Sequence, residues 1–216
     1  MATRPATRTG EPAGAGWFPR RPVTPWAWGL AERFLARDLP RRWAHVQGVA
    51  RTGAHVGRVL LAADDQELLV AAALLHDIGY APALVRSGYH PLDGARFVLR
   101  ERGSRRLANL VANHSAARLV AEIRGFGDEL SAYPDECSVL RDALWYSDMR
   151  TSPAGVPVTF GVRIEDIRLR HGPGSDLVRA LDSGALAARH DAVRRTERRL
   201  AAAAAARQRG TRPTVG

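Results

Sequence analysis

The sequence predicts an all-α fold, a helical bundle in one domain, on three observations. Apolar residues recur at helical spacing across most of residues 23–206, no stretch alternates as a strand should, and no internal repeat appears. The chain has 216 residues, 45% of them hydrophobic and 25% charged. That length supports one core and falls short of two.

Residues 1–22, rich in Thr, Pro, Ala, Gly and Arg without periodicity, are expected to be a disordered basic tail. Helix begins at Pro25 in PWAWGLAERFLARDL, with Leu30, Phe34 and Leu35 on one side, and Leu39-Pro40 breaks it. A long helix follows from Arg41 to Leu61, on which His45, Val49, Val56 and Leu60 share a stripe. Asp64-Asp65 is read as the cap of a helix from Gln66 to about Asp77, stopped by Gly79 and Pro82. The loop APALVRSGYHP leads into a helix near Pro91, a favourable first-turn residue. Ser104 to about Ala121 is helical, with Asn113-His114-Ser115 as its point of interruption. Asp135 to about Met149 is the next helix. The loop TSPAGVPVTF and two helices, near 162–170 and 175–206, complete the chain. The expected plan is a tail over 1–22, a helical domain over 23–188, and an Arg/Ala-rich helix end and tail over 189–216.

Charge narrows the function classes. Of the net +10, residues 1–23 contribute +3 and residues 189–216 contribute +6, leaving the body near +1. A specific nucleic-acid face on the body is therefore not expected, since basic tails bind polyanions weakly and without selectivity. The one cysteine, Cys137, rules out an intramolecular disulfide and is read as a small core residue. The longest apolar run, Leu68 to Leu75, is far short of the roughly 20 residues a membrane span requires. No secretory signal is visible, so a cytoplasmic location is expected.

The chemistry is concentrated in LLHDIG, Leu74 to Gly79, where a buried helix ends in an imidazole beside a carboxylate. His76 lies on the stripe of Leu68, Leu69 and Ala72. Asp148 follows Leu140 and Leu144 at steps of four, and His45 heads its own apolar stripe. For any one of these, a core residue bonded to backbone is the simpler reading. Three helices each aiming a metal-competent side chain inward favour a shared divalent cation, which satisfies several buried lone pairs at once. Neighbouring positions on a helix diverge by about 100°, but at its terminus both His76 and Asp77 can reach an ion beyond the end. Asp77 then has an oxygen to spare for a second ion.

The order His45, His76-Asp77, Asp148 on successive helices resembles the HD-domain superfamily of metal-dependent phosphohydrolases. The resemblance runs from about Trp43 to Asp148. It implies that His45, His76, Asp77 and Asp148 bind one divalent ion. HPLDGARFVL and ANHSAAR add His90 and His114, a pattern similar to the dinuclear bacterial branch that splits diadenosine tetraphosphate. That similarity implies a second ion held by Asp77, His90 and His114. Two departures stand out: Tyr80 occupies a position where many members carry Lys, and Asn113-His114 stands where some carry paired histidines.

The implied activity is hydrolysis of a small phosphorylated substrate, a phosphate ester or anhydride of a nucleotide. One or two ions (Mn, Fe, Co, Ni or Zn) would activate water, with Asp77 and Asp148 as the catalytic carboxylates. Tyr80, Arg118, Arg150 and Arg163 are the candidates for holding phosphate, although a surface ion pair is the simpler reading of each arginine. The alternative is an HD module that binds metal and nucleotide without turnover. His55, about 80° around the helix from His45, is excluded from the site, and His171 and His190 are expected to be solvated. Nucleophile-elbow, P-loop and H-E-x-x-H patterns are absent.

Overall fold

A computed structural model describes residues 23–210, within which eleven α-helices account for most of the chain. They are α1 (Val23–Leu35), α2 (Pro40–Leu60), α3 (Ala63–Leu75), α4 (His90–Arg100), α5 (Arg105–Ala112) and α6 (Ala117–Ile123). The rest are α7 (Gly127–Ser131), α8 (Val139–Met149), α9 (Phe160–His171), α10 (Asp176–Ala180) and α11 (Leu186–Gly210). No named strand occurs among the described residues, and a single bridge joins Thr151 to Pro157. The all-α expectation holds. The expected N-terminal tail, residues 1–22, lies outside the described residues.

Local chemistry sets the helix starts. Pro40 and Pro91 occupy the first turns of α2 and α4, where a missing N–H costs nothing. Ser104, Ser138, Thr159 and Ser175 cap α5, α8, α9 and α10, each hydroxyl accepting the N–H three residues on. Asp64 and Asp65 are not the cap of α3. That place falls to Ala62, and the two carboxylates sit in the first turn, facing the positive end of the helix dipole. The break expected at 113–115 is real: Ser115 and Ala116 take φ of 50° and 58°, ending one helix and re-aiming the next.

Helix α3 is the centre of the bundle. Leu69 and every residue from Ala71 to Leu75 are fully buried, so this helix has no solvent stripe over its second half. Helices α1, α2, α5 and α8 pack around it, and α4 pairs with α5. Each fully buried leucine here contributes about 1.5–3 kcal/mol. A helix buried on all sides carries its C-terminal His76 to a place no other element reaches so directly.

Two sequence expectations are corrected. Cys137 is exposed, with φ of 46°, because it lies in the turn before α8 rather than on its packed face. Packing also does not end at 188: Arg189, Ala192, Val193 and Thr196 of α11 are buried, lying where α11 packs on α8. Asp142 of α8 anchors that contact, accepting from Arg195 at 2.7 and 2.8 Å and from Arg199 at 2.9 Å.

Candidate metal centre

Six side chains converge. His45 comes from α2, His76 and Asp77 from the end of α3, His90 from the start of α4, His114 from the turn after α5, and Asp148 from the last turn of α8. They form two triads, His45–His76–Asp148 and Asp77–His90–His114, with donor atoms within 4.8 Å of one another in each. Asp77 joins the two. Its Oδ2 lies 3.3 Å from His76 Nε2 and 3.9 Å from His45 Nε2, and its Oδ1 lies 3.4 Å from His90 Nε2 and 3.7 Å from His114 Nε2. This is the bridging geometry that a spare carboxylate oxygen permits.

Backbone carbonyls fix the ring orientations. His76 Nδ1 meets Ala73 O at 2.8 Å and His114 Nδ1 meets Val111 O at 2.7 Å, both carbonyls three residues back and freed by a helix terminus. His45 Nδ1 meets Ser152 O at 3.0 Å. A carbonyl can only accept, so all three Nδ1 atoms carry the proton and each Nε2 presents a lone pair inward. Those lone pairs then face other acceptors. His45 Nε2 is 3.0 Å from Asp148 Oδ1, and buried His76 Nε2 has no hydrogen-bond partner. Acceptors crowded together in a buried space need a proton or a cation between them. The residues present therefore fit a metal ion.

Electrostatics divides the rings. Burial opposes protonation of His76, but the charges of Asp77 and Asp148 outweigh it and raise its pKa, so positive charge is favoured where its Nε2 meets Asp77. Burial pushes His90 well below the ordinary imidazole range, and it holds His114 down at about 4, with neighbouring positive charge adding to both. Both rings are neutral at neutral pH, the state a metal ligand needs. Burial opposes ionisation of Asp77 and Asp148, yet Arg42 and His76 for one, His45 and Arg163 for the other, hold both well below the carboxylate range. The carboxylates are charged and the two outer rings are not.

Two close approaches make this assembly possible. A Cβ on Gly79 would lie 2.1 Å from His90 O, so only glycine lets the start of α4 dock on the turn after Asp77. A Cβ on Gly48 would lie 2.4 Å from Gly155 O, so a bare backbone on α2 admits the loop that presents Ser152 O to His45.

Residues 42–147 match the family model of the HD domain. The chain belongs to that family. Among curated proteins and among solved structures, none matches it significantly. The HD match ends one residue before Asp148, which the geometry places in the first triad.

Around the HD ligands the structure sorts the remaining candidates. Arg163 of α9 reaches the centre, donating to Asp148 Oδ1 at 3.1 Å. Tyr80 is also there, through its ring: it stacks on His90 with centroids 3.9 Å apart, and the Arg42 guanidinium lies over the same ring, 4.1 Å from its centroid. Arg118 is exposed and pairs with Glu122, and Arg150 pairs with Glu197 on α11, so neither points to the centre. His55, His171 and His190 are exposed, although His171 lies at the rim of the cavity over the centre.

Three residues at the site went unrecognised in the sequence. Arg42 donates to Asp77 Oδ2 at 2.5 Å, Ser115 donates to Asp148 Oδ2 at 2.5 Å, and Arg189 of α11 donates to Ser115 O at 2.7 Å. Arg42 had a usable signal, standing one turn before His45 on the same helix. Ser115 and Arg189 had none.

Proposed function

We propose that this HD-domain protein is a metal-dependent phosphohydrolase acting on a small phosphorylated substrate, a nucleotide ester or anhydride, with two divalent ions. The observation that carries the reading is Asp77, whose two oxygens face two different sets of imidazole lone pairs. His45, His76 and Asp148 would hold one ion, His90 and His114 the other, and Asp77 would serve both. Bound there, divalent ions supply Lewis-acid polarisation of phosphoryl oxygens and lower the pKa of a coordinated water.

The chain's own groups do the rest. Asp148 is held ionised, so it orients the attacking water as an acceptor rather than storing a proton. Ser115 and Arg163 fix its two oxygens. Arg42 and Arg163 line the cavity over the centre and are placed to neutralise phosphate. Arg42 also supplies, beside Tyr80, the positive charge that residue 80 lacks.

The test is hydrolysis of a nucleotide panel by protein stripped of metal and reloaded with Mn, Fe, Co, Ni or Zn. Metal-dependent release of phosphate or nucleotide is expected. Full metal loading with no turnover on any member would instead establish the binding module.

A further inference from the structure

Of the four arginines in the wall of the cavity over the centre, three have a carboxylate. Arg42 pairs with Asp77, Arg163 with Asp148 and Asp166, and Arg170 with Asp166. Arg189 is the exception among the described residues. It is 4% exposed, its Nε donates to Ser115 O, and no carboxylate meets it. Its Nη1 is buried without any hydrogen-bond partner. Burial lowers its pKa to about 10, so it stays protonated at neutral pH. A buried cation with no carboxylate in ion-pair contact, only the more distant charge of Asp148, and with an idle N–H is costly, and an anionic ligand would relieve both deficits.

The position of Arg189 says which anion. A small cavity lies over the carboxylates, with Asp77, Asp148, Arg42, Arg163 and Arg189 all in its wall. It shares Arg42, Arg163 and Arg170 with a groove that His45 and Arg41 also line. It shares Tyr80, His114, Ser115 and Arg189 with a pocket of about 230 Å³ on the His90–His114 side. Arginines therefore flank the paired carboxylates on both sides. A phosphomonoester has one anionic group and can engage one side at a time. A linear phosphoanhydride has two adjacent anionic groups and can engage both.

We propose that Arg189 forms a second anion subsite, so that this centre takes phosphoanhydrides, carrying two or more linked phosphates, in preference to phosphomonoesters. The inference rests on the hydrolase reading for its location but concerns binding. Its test therefore uses non-hydrolysable probes. Methylphosphonate offers one anionic group and methylenediphosphonate offers two. Each is titrated calorimetrically into the metal-loaded full-length protein, with metal content measured afterwards to exclude chelation.

The wild type is expected to bind the diphosphonate roughly tenfold or more tightly than the monophosphonate, the worth of one charge-assisted hydrogen bond. Arg189→Met should erase most of that preference, leaving methylphosphonate affinity and metal stoichiometry within about threefold of wild type. Arg189→Lys, which keeps the charge and loses the fork, should retain part of it. An unchanged preference in Arg189→Met, or an equal loss for both probes, overturns the proposal. If neither variant folds, the wild-type preference decides alone, and a ratio under about threefold overturns the subsite. Absence of turnover with the preference intact would sink the hydrolase reading and leave this subsite standing.

Discussion

At the scale of single residues, the candidate ligands were legible and the side chains that hold them were not. Histidine is scarce in this chain, with seven in all, and aspartate at a buried stripe position is anomalous, so each of the six candidate ligands announced itself. Arginine is the opposite case. All 32 cations are arginines, so Arg189 had no way to stand out from the solvated majority, and Arg42 had only its place one turn before His45. What separates them is burial and partner, which only the fold supplies. The proposed sharing of Asp77 between two ions leads to a first prediction. His76→Ala should abolish binding at the first triad, whereas His114→Ala should lower the stoichiometry from two ions per chain to about one, because it touches only the second. Elemental analysis of folded variants reads both. Complete loss of metal in both variants would mean a single ion.

Tyr80 gives a second prediction at this scale. Its hydroxyl was expected to donate to phosphate, but the ring lies between the Arg42 guanidinium and the His90 imidazole. Tyr80→Phe should therefore keep the metal affinity of the second triad within about twofold. Tyr80→Ala should weaken it by roughly tenfold, by freeing His90 to rotate. A phenylalanine variant as impaired as the alanine one would restore the hydroxyl to a direct role.

At the scale of elements, helix existence was readable from periodicity, while helix ends were not. The misplaced cap of α3 and the misread turn at Cys137 are both end effects, where one or two backbone angles decide the outcome. One such end governs His90. Asp93, in the first turn of α4, accepts from the backbone of Arg86, Ser87 and Gly88 and from the Ser87 hydroxyl, at 2.9–3.2 Å. It ties the preceding loop to the helix that begins with His90. Asp93→Asn is expected to cost about 2–3 kcal/mol, since the bonds lost run to a buried charged acceptor. Amide exchange in residues 86–89 should rise with it. Destabilisation without faster exchange in that loop would contradict the assignment.

At the scale of the whole molecule, the domain boundary expected at 188 falls inside α11, within a helix that periodicity did find over 175–206. Basic, alanine-rich sequence after 188 looked like a fraying end, because nothing in composition distinguishes an arginine that pairs from one that is solvated. Yet α11 packs on α8 through Asp142, whose carboxylate is fully engaged by Arg195 and Arg199, with Arg141 at 3.2 Å. The same α11 carries Arg189 to the metal centre and α8 carries Asp148, so this ion-pair cluster couples a distant junction to the site.

The pH dependence of that junction has a definite sign. Burial alone would raise the Asp142 pKa, but the hydrogen bonds from Arg195 and Arg199 outweigh it and leave the pKa lowered. A carboxylate depressed on folding contributes stability that is complete above its unfolded value, near 4, and is lost as pH falls through the folded value. Asp142→Asn should accordingly be less stable than wild type at pH 7, by about 1.5–3 kcal/mol given that the arginines remain partly exposed. The gap should narrow as pH falls below about 4, because the unfolded wild type then takes up a proton that the folded carboxylate resists. Denaturant unfolding of the pair across this range reads the gap directly. A gap that stays constant with pH would show that Asp142 acts by shape and packing alone, and that charge does not hold α11 against the body.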